Sequence, residues 1–186
     1  LSFVQSPDDV VQARAATRDA GAAGLPIIAK IERPSAVDRI DEIVAVSDGS
    51  MVARGDLGIE LPLETLPAVQ RRVLLAARRR GIPVILATEV LESMRSSPRP
   101  TRAEVTDAAH AVDEGADAIM LSGETAVGRH PVRVVATLAA TLVHEGLIDE
   151  QATVPQYLPE LASTGYADAT IRHLLSHASG LSMHSA

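Results

Sequence analysis

The stretch IIAKIERP (Ile27–Pro34) states the fold's basic unit. An unbroken apolar run ends abruptly in Lys30 and Glu32, and Pro34 then opens a new segment. Such a run reads as a parallel strand buried on both faces, with its polar groups gathered at the carboxyl end. Working outward, four similar runs occur at Leu1–Val4, Ser50–Ala53, Pro83–Ala87 and Ala118–Leu121.

Helical patterns fill the intervals. Ser6-Pro7 supplies a cap and a first-turn proline, and Gly21 closes that helix. Val37, Ile40, Ile43 and Val44 fall at helical spacing over about 35–46, and a third helix is expected over about 63–80, stopping at Gly81. Thr101 and Glu104 form a capping box for a fourth that ends at Gly115, and Pro131 opens a fifth through Val135, Leu138 and Leu142. Repeated β-α units of this kind predict a parallel α/β fold. A closed barrel needs eight units in roughly 250 residues, so five units leave an open, doubly wound sheet as an alternative on pattern alone.

Composition narrows the function. The 186 residues carry a formal charge of −7, with 46% hydrophobic and 2% aromatic residues, so the core must be built from Ala, Val, Leu and Ile. The acidic balance gives no basic stripe and argues against nucleic-acid binding. Cysteine is absent, which removes disulfides, thiolate metal sites and a cysteine nucleophile. The longest apolar run, Val134–Val143, is too short for a bilayer and no signal peptide is visible, so no membrane role and a cytoplasmic location are expected. The first residue is Leu1, which raises the expectation of a fragment or a misassigned start.

Of the 17 basic residues, only Lys30 is lysine. Arg dominance fits genomic base composition, and a lysine kept against it is as compatible with chance as with chemistry that Arg cannot do. Reading the carboxyl ends in order gives Lys30 and Glu32, then Arg54, Gly55 and Asp56, then Thr88 and Glu89, then Ser122, Gly123 and Glu124. Ligands of parallel α/β folds gather at these ends. Glu32 and Asp56 would suit magnesium as hard oxygen ligands, or serve as surface acids or helix caps. Gly55 and Gly58 bracket Asp56 and would let backbone approach an anion. Thr88 reads either as a strand-end hydrogen bond or as part of a proton path. His110 reads as a helix-face residue, and Arg78–Arg80 as a solvated helix end that complements the dipole.

IIAKIERP (Ile27–Pro34), SDGSMVARGDLGIELP (Ser47–Pro62), PVILATEVLESM (Pro83–Met94), SPRPTRAEVTDAAHAV (Ser97–Val112) and DAIMLSGETAVGRHP (Asp117–Pro131) together closely resemble pyruvate kinase, over residues of about 1–146. The resemblance implies a partial TIM (β/α)8 barrel, α/β in class, with five of its eight units present. It implies that Lys30 contacts the transferring phosphoryl group and stabilises the enolate. Glu32 and Asp56 then match the divalent-metal carboxylates, for Mg2+ or Mn2+. Ala53, Arg54 and Gly55 match the loop that receives the substrate carboxylate, with Asp56 beside them. Thr88 matches the hydroxyl near the face where enolpyruvate is protonated, and Ser122 and Glu124 match an accessory strand-end motif. The substrates so implied are phosphoenolpyruvate and ADP, giving pyruvate and ATP in glycolysis.

The departures carry expectations too. Glu89 stands where the family usually has Gln, adding negative charge near an anionic substrate. The family's first three strands, its lid domain and its potassium-site residues have no counterpart in these residues, so K+ binding would need parts outside them, and catalysis is expected to be impaired. Open barrel edges would invite self-association or a complementing chain. The alternatives are a metal-dependent lyase or aldolase acting on a pyruvate enolate, and a remnant or assembly module without catalysis.

The β-α rhythm stops near Gly146, which predicts a barrel segment over 1–148 and a short, mostly helical tail over 149–186. YLPELA (Tyr157–Ala162) and ATIRHLLSHASGL (Ala169–Leu181) resemble a segment of the class C β-lactamase-like serine hydrolases. Their nucleophile lies in an S-x-x-K motif, which this chain lacks, because Ile27 stands three positions before its only Lys. Ser176, Ser179, His173 and His177 are therefore not read as a catalytic set.

Overall fold

The computed structural model describes residues 1–175. Four strands, β1 (Ile28–Ile31), β2 (Gly49–Ala53), β3 (Val84–Ala87) and β4 (Ala118–Met120), form one parallel sheet in the order β1-β2-β3-β4. Sequential neighbours without a reversal of strand order are the arrangement of a barrel wall, whereas a doubly wound sheet has a switch point. The helices between them are α1 (Pro7–Asp19), α2 (Pro34–Asp38), α3 (Ile40–Val46), α4 (Arg54–Glu60), α5 (Leu66–Arg80), α6 (Arg102–Asp113), α7 (Gly123–Ala126) and α8 (Pro131–His144).

The expected count of five strand units is not met, since Leu1–Val4 forms no strand. The Leu1 amino group donates to the Ile28 carbonyl at 2.7 Å and the Lys30 N–H donates to the Leu1 carbonyl at 3.0 Å, so the segment does lie beside β1. The ladder stops at Phe3, whose φ is 59° and whose N–H turns away to the Glu32 carboxylate. A left-handed non-glycine residue cannot continue an extended strand.

The expectation of strands buried on both faces also needs correction. Burial in β1 alternates, with Ala29 and Ile31 fully buried while Ile28 is 37% exposed. In register, Lys30 aligns with Met51, Met51 with Ile85, and Ile85 with Ala118. That row shares one face, which is less buried than the face that packs on the helices. Continuous apolar character gave no warning, because Ile28 and Met51 are as apolar as the residues on the covered face. Ala29, Ile31, Val52, Val84 and Leu86 meet Ile43 and Leu74 in the main core, while Val90, Met94, Ala108 and Val134 form a second cluster.

Local chemistry accounts for the helix boundaries. The Thr101–Glu104 capping box forms, with the Glu104 N–H donating to Thr101 Oγ1 at 3.2 Å and the Thr101 N–H donating to Glu104 Oε2 at 2.7 Å. Gly81 ends α5 at φ 73°. The single helix expected over 35–46 is two, broken at Arg39, and α4 occupies a stretch read as a strand-end loop. Gly55 and Gly58 lower the helix propensity of that stretch, and the burial of Leu57 offsets it. Arg79 and Arg80 are less free than a solvated end, since they reach Asp41 and the Ala45 carbonyl and tie α5 to α3.

Beyond α8 the chain forms only short pieces, α9 (Val154–Tyr157), a 3-10 turn at Pro159–Leu161 and α10 (Ile171–Leu175). Thr153 and Thr170 make an antiparallel bridge, with Val154 and Ala169 buried beside it. Ser176, Ser179 and His177 lie outside the described residues. No helix among the described residues is long and apolar enough to cross a membrane.

Candidate active site at the strand ends

Lys30 and Glu32 sit at the carboxyl end of β1, two residues apart, as a period-2 strand requires for side chains on one face. The Lys30 ammonium lies 2.8 Å from Glu32 Oε2 and donates to Ser2 Oγ at 3.2 Å. Glu32 is only 3% exposed and its Oε1 accepts the Phe3 N–H. Burial pushes the Glu32 carboxyl up, but the Lys30 ammonium, the Phe3 N–H and the Asp56 side chain together bring it below its ordinary value. The group is therefore a carboxylate at neutral pH. Asp56, in the first turn of α4, shares with Glu32 a pocket of about 210 Å³ that Phe3, Arg33, Ile59 and Glu60 complete. Arg33 pairs with Glu60 and lies 5.5 Å above the Phe3 ring, so its charge is already engaged at the rim.

The two carboxylates suit a hard divalent cation in their chemistry. Glu32 Oε1 accepts the Phe3 N–H and Oε2 faces the Lys30 ammonium, and a carboxylate oxygen with two lone pairs keeps acceptor capacity beside such a contact. Among the described residues no group of three or more His, Cys, Asp or Glu could hold a metal ion, so the other positions of an octahedral ion would fall to substrate and water.

Arg54, Gly55 and Thr88 form a second cluster, and most of its donors are spent within the protein. Arg54 is 8% exposed. Its Nη1 donates to both Asp107 carboxylate oxygens at 2.8 and 2.7 Å. Its Nε and Nη2 donate to the Thr88 carbonyl at 3.1 and 3.0 Å, and Nη2 also to the Glu89 carbonyl at 2.9 Å. The Gly55 N–H donates to Thr88 Oγ1 at 2.8 Å, and that hydroxyl donates to the Ala87 carbonyl at 2.7 Å. Ala53, the last residue of β2, is buried and caps α4.

Ser122 and Glu124 make a third group after β4. Glu124 is fully buried, and its Oε2 accepts the Ser122 N–H at 3.0 Å. Glu124 Oε1 and Ser122 Oγ are buried without a hydrogen-bond partner. His110 is an exposed helix-face residue 3.3 Å from Glu114, in line with its sequence reading.

The structure thus joins Lys30, Glu32 and Asp56, and separately joins Arg54, Gly55 and Thr88. Ser2, Asp107 and the Phe3 N–H were not singled out from sequence. Asp107 sits within an ordinary amphipathic helix pattern, where a surface acid gives no signal. The Phe3 N–H is a backbone group that only a tertiary contact reveals.

Comparison with known families adds an independent line. The pyruvate kinase barrel-domain family matches residues 1–135, and the β-lactamase family matches residues 134–186. Over 138 residues the chain is 55% identical to a pyruvate kinase of Methylorubrum extorquens, covering 74% of this chain and 28% of that protein. Identity to a Thermotoga maritima pyruvate kinase is 50% over 139 residues, covering 75% and 30%. For a Mycobacterium tuberculosis pyruvate kinase it is 46% over 164 residues, covering 88% and 34%. The chain therefore spans about a third or less of the length of these relatives.

Proposed function

The chain belongs to the pyruvate kinase family, and from that membership we propose that residues 1–148 carry the enol-handling half of a phosphoryl-transfer site for phosphoenolpyruvate and ADP. The observation that carries this reading is the meeting of the Lys30 ammonium, the buried Glu32 carboxylate and Asp56 around one pocket. Phosphoryl transfer needs placement and charge neutralisation more than covalent help. Lys30 is held by Glu32 and Ser2 at the mouth of the site, and an arriving phosphate or enolate would draw it across. Glu32 and Asp56 would hold Mg2+ or Mn2+, which when bound supplies Lewis-acid neutralisation of phosphate and enolate charge.

The substrate carboxylate would meet the first-turn N–H groups of α4, beginning at Arg54 and Gly55, because such groups lack partners within a helix. Binding there would compete with Thr88 Oγ1 for the Gly55 N–H and release the hydroxyl toward the enol carbon. The Arg54 side chain orders this loop and is not available as an anion receptor. Ser122 and Glu124 remain accessory, K+ would need residues from another segment, and a cytoplasmic setting fits the substrates.

The chain alone should bind better than it turns over, and the β4 edge of its sheet, with the part of the β1 edge that the Leu1 segment leaves uncovered, invites self-association or a complementing chain. Titration calorimetry of phosphoenolpyruvate with Mg2+, followed by a coupled pyruvate-formation assay with ADP and K+, tests the proposal. Mg2+-dependent binding is the expected result, and its absence from folded protein would end the reading.

A further inference from the structure

Thr88 and Glu89 are consecutive, neither is glycine, and both lie in the left-handed region, at φ 68° and 56°. Each Cβ crowds its own backbone there, and two in succession persist only where surrounding structure over-determines them. The restraint is the Arg54 guanidinium, which clasps both carbonyls of the turn from the carboxyl end of the neighbouring strand β2. Two carbonyls alone would let a guanidinium rock about its stem, whereas a bidentate carboxylate fixes its plane. Asp107 supplies that carboxylate from α6. The helix is itself pinned to the same connection, because Glu104 accepts the Ser93 N–H at 2.7 Å and the Ser93 hydroxyl at 2.6 Å.

We propose that Asp107 is a positioning residue, which by gripping Arg54 holds the Thr88–Glu89 turn in its left-handed form and so aims the Thr88 hydroxyl. The inference deepens the function proposed above and rests on it for the use made of that hydroxyl. The geometry it asserts is measurable without turnover. The Gly55 N–H on Thr88 Oγ1 is the reporter, since it is held only while the turn stays in place. Glycine at position 89 is the control, because it takes positive φ without steric cost.

The test compares the full chain with Asp107→Ala, with Asp107→Asn, which keeps the volume and one acceptor oxygen, with Glu89→Gly alone, and with Asp107→Ala combined with Glu89→Gly. In Asp107→Ala the Gly55 amide should exchange with solvent at least about tenfold faster, while the amides of β1 stay unchanged. Asp107→Asn should show the same change to a smaller degree. Adding Glu89→Gly should recover part of the denaturation midpoint lost in Asp107→Ala, as coupled sites do. Deuterium exchange into the pyruvate methyl group with Mg2+, the reverse of enol protonation, should fall about 10²-fold in Asp107→Ala, the scale of a misplaced reacting group.

Unchanged Gly55 protection in either folded Asp107 variant overturns the proposal, as do strictly additive midpoints in the combined variant. Wild-type protein that shows no methyl exchange, while Gly55 still responds to Asp107→Ala, leaves the positioning role standing and removes the proposed function instead.

Discussion

Carboxylates at the two ends of the sheet are put to opposite uses. At the amino end, Asp48 Oδ2 accepts the Ile27 N–H at 2.7 Å while the Asp48 N–H donates to the Ile27 carbonyl at 2.9 Å. Asp117 repeats the motif on Val84, at 2.8 and 3.0 Å. Each Asp thus stitches the start of one strand to the strand before it. At the carboxyl end, Glu32 faces the ammonium of Lys30, and Asp56 faces an open pocket. The Ile27 and Val84 N–H groups are fixed at the starts of their strands beside these acceptors, whereas a lysine on a flexible stem can exchange partners. Fixed partners make one end a fastening, and exchangeable partners leave the other free to receive a ligand.

Lys30→Arg is the most severe way to break this contrast. A planar fork cannot occupy the place of a compact ammonium between Glu32 and Ser2, so phosphoenolpyruvate-dependent pyruvate formation should fall at least about 10²-fold, the scale for losing one preorganised donor. The coupled assay measures it, and near-normal turnover removes Lys30 from its role. Thermal unfolding should be little changed, because the side chain is about a third exposed (32%).

Asp117→Ala should do the reverse. It removes the acceptor of the Val84 N–H and should lower stability by about 1 kcal/mol, the usual net worth of such a bond. Ligand binding at the far end of the strands should be unaffected. Urea denaturation beside calorimetry of the same variant would expose the idea as wrong if binding weakened as much as stability.

These two ends were unequally legible. The carboxyl ends announced themselves, since Lys30, Glu32, Asp56 and Thr88 interrupt apolar runs with groups that a strand interior does not tolerate. The same logic located β1 to β4 within a residue or so at either end, and the capping chemistry of Ser6, Thr101 and Gly81 located their helices. Asp48 and Asp117 carry no such contrast, for each stands in a loop where an acid is ordinary. The first strand was misjudged because Leu1–Val4 has suitable composition, and nothing in it discloses that the Glu32 carboxylate captures the Phe3 N–H. Arg54 was legible as a strand-end cation. Its commitment to Thr88, Glu89 and Asp107 depends on three segments that meet only in the fold.

Acid pH should loosen the fastening end in a defined direction. The Ile27 N–H and then the Arg14 guanidinium hold the Asp48 carboxyl below its ordinary value. A carboxyl lowered in the folded state contributes stability above the ordinary Asp value of about 3.9, and loses it as pH falls through the lower folded value. The urea midpoint should therefore hold from neutrality to about pH 5 and decline below it. Asp48→Asn should shallow that decline. An identical pH profile in the variant would show that Asp48 is no part of the linkage.

Glu89→Gln should sharpen the comparison with the smallest effect. Glu89 is exposed and borders a pocket of about 270 Å³ shared with Arg54, Asp107 and His110, apart from the one that Glu32 and Asp56 line. Removing its charge should strengthen binding of an anionic ligand with Mg2+ by no more than a few-fold, since exposed charges interact by less than about 1 kcal/mol. The gain should shrink as salt is raised, because screening acts strongly on charges a Debye length apart. The Arg54 contact to position 89 uses the backbone carbonyl and survives the change, so stability should stay level. A gain that persisted at high salt would mean that Glu89 touches the ligand directly, and the two pockets would then have to be treated as one site.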